Sequence, residues 1–176
     1  MNKNLSKEQL INQAFKFHSQ GNIQEAIKHY QSFIKQGFEN HIVFSNYGIV
    51  LQNIGKLKEA EISLRKAIQL NPDYANAHSN LGNILLDLGK YKEAVSSYRK
   101  AIQLNPDYAN AHSNLGNILR DLGKLKEAEI SLRKAIQLNP NISIAHSNLG
   151  IILKDLGKLK EAEISLRKAI QLNPNL

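Results

Sequence analysis

The segment LNPDYANAHSNLGN runs from Leu70 to Asn83 and returns letter for letter from Leu104 to Asn117. A longer string, GKLKEAEISLRKAIQLNP, occurs three times, starting at Gly55, Gly123 and Gly157. Asn-Pro recurs at Asn71-Pro72, Asn105-Pro106, Asn139-Pro140 and Asn173-Pro174, always 34 residues apart. Gly21, Gly55, Gly89, Gly123 and Gly157 keep the same interval. A fixed period of this length marks one supersecondary unit copied along the chain. A single copy cannot bury its apolar face alone. The copies must therefore stack, and stability becomes roughly a sum of unit and interface contributions.

Inside a block the apolar spacing is helical. From Ala75, apolar or small residues fall at His78, Leu81, Gly82, Leu85 and Leu88, the 3–4 spacing of one helix face. Gly89 can stop this helix at a left-handed C-cap. A second stripe follows at Tyr91, Ala94, Tyr98, Ala101, Ile102 and Leu104. Asn105-Pro106 ends it, because proline restricts the residue before it and cannot continue the hydrogen-bond ladder. Each block thus predicts two antiparallel helices of roughly 14 residues, each about 20 Å long. Gly82 and Ala94 allow them to approach closely, and Ala101 admits the next block. Glu61–Arg65, Glu129–Arg133 and Glu163–Arg167 are spaced i,i+4, a minor stabiliser.

Composition narrows the class. With 176 residues, 42% hydrophobic and 22% charged, the chain is globular rather than disordered. No apolar run approaches the ~18 residues of a membrane span. The opening MNKNLSKEQL has no apolar core of a signal peptide, and a cytoplasmic location is the default expectation. Cysteine is absent, which removes disulfides, thiol catalysis and the usual structural zinc ligands. The net charge of +8 invites a nucleic-acid reading. However, no block exceeds +2 and every block mixes both signs, the pattern of a solvated surface. Neither nucleic acid nor membrane is expected as a partner.

These residues resemble the tetratricopeptide repeat (TPR) family, whose pattern is aromatic-x2-Leu-Gly-x2-Tyr, then Ala-x3-Phe, then Pro. The chain reads His78, Leu81, Gly82, Leu85, Ala94, Tyr98 and Pro106, and then His112, Leu115, Gly116, Leu119, Ala128, Leu132 and Pro140. A further block gives His146, Leu149, Gly150, Leu153, Ala162, Leu166 and Pro174, and an earlier one Phe44, Tyr47, Gly48, Leu51, Ala60, Leu64 and Pro72. The block 7–40 departs most. It keeps Phe17, Gly21, Ala26 and Tyr30 but has Gln13-Ala14 for Leu-Gly and Phe38 for proline. It is expected to act as a cap. The resemblance implies an all-α, right-handed superhelical solenoid of five helix-turn-helix repeats. Their expected bounds are 7–40, 41–74, 75–108, 109–142 and 143–176, after a tail at 1–6.

Catalytic chemistry is not indicated, and no enzyme activity is expected. His78, His112 and His146 stand on successive helices about 10 Å apart, too far to share a zinc ion. They occupy the family's aromatic position and are expected at the edge of the core. Glu59 and Glu61 lie two apart on a helix and diverge, so no acid/base pair forms. Ser79, Ser113 and Ser147 each follow a histidine by one residue, which places the two side chains on different faces. There is no phosphate loop or nucleophile elbow, and no cofactor or metal is implied.

The asparagines are the candidate functional feature. Asn76, Ser79, Asn80, Asn83 and Asp87 lie beside the core stripe of their helix. Asn110, Ser113, Asn114, Asn117 and Asp121 repeat the set. One position is asparagine in every block: Asn12, Asn46, Asn80, Asn114 and Asn148. An amide offers a donor and an acceptor and so matches the alternating N–H and C=O of an extended peptide. Asn12 persists even in the divergent block. The AHSNL motif at 77–81, 111–115 and 145–149 resembles the TPR superhelix of O-linked N-acetylglucosamine transferases. That likeness implies an asparagine ladder in a concave groove, holding extended polypeptide. Ile42, Ile49, Ile144 and Ile151 flank the asparagines, and Gln52, Leu86, Arg120 and Lys154 share one position. The cations by which chaperone-tail-binding TPR domains clamp a terminal carboxylate are missing, since serine stands at 45, 79, 113 and 147.

Two functions follow as expectations. The first is a protein–protein interaction scaffold binding extended peptide. The alternative is the substrate-targeting arm of a larger transferase-type enzyme whose catalytic domain lies elsewhere. The last block, from Ile144 to Leu172, keeps the sequence of an internal repeat, including Leu149, Leu153, Ala162, Leu166 and Ala169. Its uncapped face is expected to self-associate, most simply as a two-fold dimer.

Overall fold

A computed structural model describes residues 5–175. The outermost ends of the expected tail and of the fifth block lie outside the described residues. Among the described residues there are ten helices and no strand. They are α1 (Lys7–Ser19), α2 (Ile23–Lys35), α3 (His41–Asn53), α4 (Leu57–Leu70), α5 (Ala75–Asp87), α6 (Tyr91–Leu104), α7 (Ala109–Asp121), α8 (Leu125–Leu138), α9 (Ser143–Asp155) and α10 (Leu159–Leu172). They fall into two compact units, residues 1–88 with α1–α5 and residues 89–176 with α6–α10.

The punctuation follows the chemistry of the turns. The five periodic glycines all have φ between +71° and +76°, a region that only glycine enters at no steric cost. After α7, Gly123 N–H donates to Arg120 O at 2.8 Å and Lys124 N–H to Leu119 O at 2.8 Å, the paired bonds of a Schellman cap. Asn-Pro does more than interrupt. Asn71 Oδ1 accepts from Asp73 N–H at 3.2 Å, and Asn105 and Asn139 repeat the bond with Asp107 and Asn141. The asparagine side chain thereby shapes the turn that proline starts. Ser6 caps α1 in a reciprocal box with Gln9, and Asn40 caps α3 by accepting from Ile42 and Val43 N–H. Gly37, outside the periodic set, closes α2 at φ +76°.

Packing in the second unit shows why the small residues recur. A Cβ on Gly116 would lie 2.6 Å from Leu132 Cγ and 3.2 Å from Ala128 O, so α7 and α8 touch through their backbones. Gly48 stands likewise against Leu64 and Ala60 in the first unit. The apolar stripe read from sequence is incomplete, because α7 packs both on α8 and on α6. Leu115 and Leu119 serve one face, while Ala111 and Ile118, two turns apart, are fully buried as well. Tyr91, counted into the second stripe, is about half exposed, and Val95 is buried in its helix instead.

In the first unit the divergent block forms a complete helix pair. Tyr30 and Ala26 are fully buried, and Ala14 lies buried where the other first helices carry glycine. Tyr30 packs against Tyr47 of the next pair with ring centroids 5.4 Å apart. Its hydroxyl shares a 3.2 Å hydrogen bond with His18 Nδ1.

Candidate functional site

The histidines occupy a defined role. His78 Nε2 lies 2.8 Å from Pro72 O, His112 Nε2 3.0 Å from Pro106 O, and His146 Nε2 2.9 Å from Pro140 O. A carbonyl can only accept, so each ring carries its proton on Nε2 and ties its helix to the preceding turn. Phe44 replaces histidine in α3, and the turn before α3 has Phe38 in place of proline. Donor and acceptor positions change together. Among the described residues no three metal-ligating side chains cluster.

The candidate asparagines divide between the units. In the first, Asn12 sits exposed on α1, Asn46 half-buried on α3 and Asn80 half-buried on α5, with Asn76 and Asp87 exposed and Asn83 half-buried on α5. Helices α3 and α5 touch, and Gln52 Nε2 donates to Asp87 Oδ2 at 2.6 Å between them. Among the described residues no side chain hydrogen-bonds the amides of Asn12, Asn46 or Asn80. The serines beside them differ from the sequence reading. Ser45, Ser79 and Ser113 are buried rather than lining the face, and Ser45 Oγ has no hydrogen-bond partner among the described residues.

The second unit arranges the same letters otherwise. On α7, Asn110 and Asp121 are exposed and Asn114 and Asn117 half-buried. On α9, Asn148 is only 8% exposed. Its Oδ1 accepts from Arg120 Nη1 at 2.7 Å and its Nδ2 donates to Asn117 Oδ1 at 3.3 Å. Arg120 also holds Asp121 at 2.8 Å. Asn148 is thus tied at both ends of its amide, by partners 28 and 31 residues earlier that no local pattern identifies.

The second helices carry ion pairs. Arg65–Glu61 at 2.8 Å, Arg133–Glu129 at 3.0 Å and Arg167–Glu163 at 2.8 Å form as the spacing predicts. Additional bonds join successive helices of the second unit: Arg99–Glu127 at 2.7 Å and Lys158–Glu129 at 2.8 Å. The Lys158 hydrogen bond chiefly holds the Glu129 carboxyl below the ordinary carboxylate range, with Arg133 acting the same way. The first unit also has an apolar cleft of about 410 Å³ between α2, α3 and α4, lined by Ile34, Phe44, Tyr47, Leu51 and Ile62.

Helix α9 packs on α8, where Leu125, Glu129, Leu132 and Ile136 are buried or half-buried. Of their counterparts on α10, Leu166 is half-buried against Gly150 of α9, while Leu159, Glu163 and Ile170 are exposed. Leu159 is 65% and Ile170 55% exposed. The Glu163 side chain is 63% exposed, against 12% for Glu129. No described helix is long and apolar enough to cross a membrane.

Residues 53–89 and 82–119 match the family described as TPR repeat, and residues 109–142 and 143–176 the one described as Tetratricopeptide repeat. No curated protein matches the chain. Among solved structures it is similar to MamA protein at 24% identity and TM-score 0.83, covering 99% of this chain and 94% of that one. It is similar to residues 41-end of MamA from Desulfovibrio magneticus RS-1 at 22% identity and TM-score 0.84, covering 99% and 98%. A third likeness is to YrrB, a TPR protein with an unusual peptide-binding site, at 24% identity and TM-score 0.80, covering 98% and 89%. At these identities the likeness speaks for the fold.

Proposed function

Because the chain belongs to the tetratricopeptide repeat family, we propose that it is a protein-interaction scaffold whose first-helix asparagines hold an extended polypeptide. Its five repeats begin at residues 7, 41, 75, 109 and 143. The observation that carries the reading is the pair Asn46 and Asn80. They stand at the same position on touching helices, half-exposed, with no side chain bound to either amide among the described residues. Neighbouring packed helices lie about 10 Å apart, close to three residues of extended chain at about 3.3 Å each. Each amide then offers a donor and an acceptor to one peptide group. The asparagine ladder of O-linked N-acetylglucosamine transferases is the precedent for this geometry. The peptide-binding site of the structurally similar YrrB supports a binding role over catalysis.

The test is the Asn46→Ala/Asn80→Ala double variant, titrated against a pool of labelled unstructured peptides. Binding is expected to weaken about tenfold, the scale of a lost pair of hydrogen bonds, with helicity unchanged. Equal binding by the variant would overturn the reading.

The exposed stripe of α10 carries a second proposal, association of two copies through Leu159 and Ile170. Sedimentation should show a concentration-dependent dimer that Leu159→Lys/Ile170→Lys abolishes. A wild-type chain that stays monomeric at millimolar concentration would sink it.

A further inference from the structure

Helices α6, α8 and α10 belong to the second unit, and each is the second helix of its repeat. At one pair of neighbouring positions they differ. On α6 the pair is Val95-Ser96, with the valine buried and the serine exposed. On α8 it is Glu129-Ile130 and on α10 Glu163-Ile164. The Glu129 side chain is only 12% exposed, whereas Ile130 and Ile164 stand out at 71% and 68%. On α8 the carboxylate and the aliphatic have traded the places that α6 gives to its apolar and polar residues. Since α6 takes the other order in the same fold, packing does not require isoleucine on the outside. The first unit repeats the exchange on α4, with Glu61 13% and Ile62 70% exposed.

The charges beside these isoleucines are unbalanced. Lys126 and Lys134 stand four residues before and after Ile130, and Lys160 and Lys168 four before and after Ile164. Each triplet therefore lies on one face of its helix. The carboxylates of α8 and α10 are committed to other cations: Glu127 to Arg99, Glu129 to Arg133 and Lys158, Glu161 to Arg133, and Glu163 to Arg167. Among the described residues no carboxylate lies within ion-pairing distance of the four lysines, and Lys168 bonds the neutral side chain of Gln171 at 3.1 Å. The face is thus two aliphatic side chains between two rows of unneutralised ammonium groups. On α10 it lies about a third of a turn away from Leu159 and Ile170.

We propose that this face of α8 and α10 docks an acidic amphipathic helix of a partner protein, lying across the two helices. Like charges oppose its pairing with the same face of a second copy. The Arg133–Glu161 ion pair stands three residues from each isoleucine, on the sides where α8 and α10 meet. Sinking both isoleucines into lipid hydrocarbon would draw that pair out of water. The ion pairs between them place α8 and α10 on the order of 10 Å apart. Leucines seven residues apart on a crossing helix match this interval, about 10.5 Å at 1.5 Å per residue. The lysines lie about 6 Å along the axis on either side of each isoleucine, close to the half-width of a helix with its side chains. Carboxylates on both flanks of the partner therefore meet the two lysine rows. The apolar contacts supply affinity and the charges supply discrimination. The surface is separate from the first-helix asparagines and gives the scaffold a second kind of partner.

The probe is a fluorescein-labelled peptide of three Leu-Ala-Gln-Glu-Glu-Ala-Gln heptads, with leucine every seven residues and glutamate on both flanks of that line. One control has glutamine for every glutamate, another alanine for every leucine, and a separate arm uses phosphatidylserine vesicles. The variant Ile130→Ser/Ile164→Ser installs the letter of α6, so folding is safeguarded, and circular dichroism should match wild type. It is expected to bind the probe about tenfold more weakly, as for loss of apolar anchors. Lys126→Gln/Lys160→Gln should cost about threefold with the glutamate peptide and nothing with the glutamine peptide. Asn46→Ala/Asn80→Ala should bind the probe as wild type does. Binding of all three peptides alike, or of none, overturns the inference while leaving the asparagine reading intact. A loss in Asn46→Ala/Asn80→Ala as large as in Ile130→Ser/Ile164→Ser would place the helix at the asparagines and also overturn it. Vesicle binding that Ile130→Ser/Ile164→Ser abolishes, without peptide binding, makes the face a membrane contact, and the inference fails. It fails too if that variant lowers the sedimentation coefficient but not peptide affinity, because the face is then a contact between copies.

Discussion

Arg120 Nη1 reaches Asn148 Oδ1 across 2.7 Å, so one side chain of α7 occupies the acceptor that its neighbour α9 would otherwise offer. The same letter thus has different chemistry in the two units. Asn46 and Asn80 present unbound amides, whereas Asn148 fastens α9 to α7.

That contrast sets the first expectation. Asn148→Ala should lower stability by about 1–3 kcal/mol, the range for a buried bond to a charged donor, and leave peptide affinity unchanged. Asn46→Ala/Asn80→Ala should do the opposite. Urea denaturation and peptide titration on both variants separate the roles, and an exchange of outcomes would reverse the assignment.

Gly116→Ala should destabilise the second unit by about 1–3 kcal/mol, as overpacking does. Its methyl would meet Leu132 Cγ at 2.6 Å and the backbone oxygen of Ala128 at 3.2 Å. The side chain can turn aside, but the backbone cannot. Chemical denaturation measures the loss. A variant as stable as wild type would show that α7 and α8 slide apart freely.

His112→Phe keeps an aromatic ring and removes the donor to Pro106 O. The expected cost is about 0.5–1.5 kcal/mol. Nitrogen-correlated NMR of the wild type should find the proton on Nε2 at all three histidines 78, 112 and 146. A ring protonated only on Nδ1 would contradict the hydrogen bond.

Burial pushes the His18 pKa below the ordinary 6.5, where its ring meets the Tyr30 hydroxyl. Above about pH 6.5 both folded and unfolded chains hold the ring neutral, and its contribution is fully present. As pH falls below that value the unfolded chain binds the proton first, so stability decreases through the folded-state pKa. Amide protection factors in α1 and α2, taken relative to the intrinsic exchange rate at each pH, should fall on acidification, and His18→Phe should flatten that dependence. Equal pH profiles would exclude His18 as the source.

Helix positions, glycine stops and the i,i+4 ion pairs were legible in the letters because each depends on residues a turn or so apart. The second buried face of the first helices, with Ala111 and Ile118, was not. It exists because α7 is packed from two sides, a fact of stacking rather than of one helix's periodicity. The buried state of Ser45, Ser79 and Ser113 has the same origin. The histidine-to-proline bond was within reach, since the two letters keep a spacing of six and vanish together at Phe38 and Phe44. The engagement of Asn148 was not, for it depends on where a long arginine of another helix comes to rest.

The histidine–proline bond crosses three of the four block boundaries, with the acceptor in one 34-residue block and the donor in the next. Pro72 and His78 close the seam at 74/75, and the seams at 108/109 and 142/143 carry an identical coupling. Excising residues 109–142 would bring Pro106 and His146 to the same six-residue interval now held by Pro106 and His112. Seams of this kind are interchangeable fittings: a chain can lose or gain a link there without a mismatched joint. The seam at 40/41, where two phenylalanines replace the pair, accepts no such exchange, and the block 7–40 keeps its place.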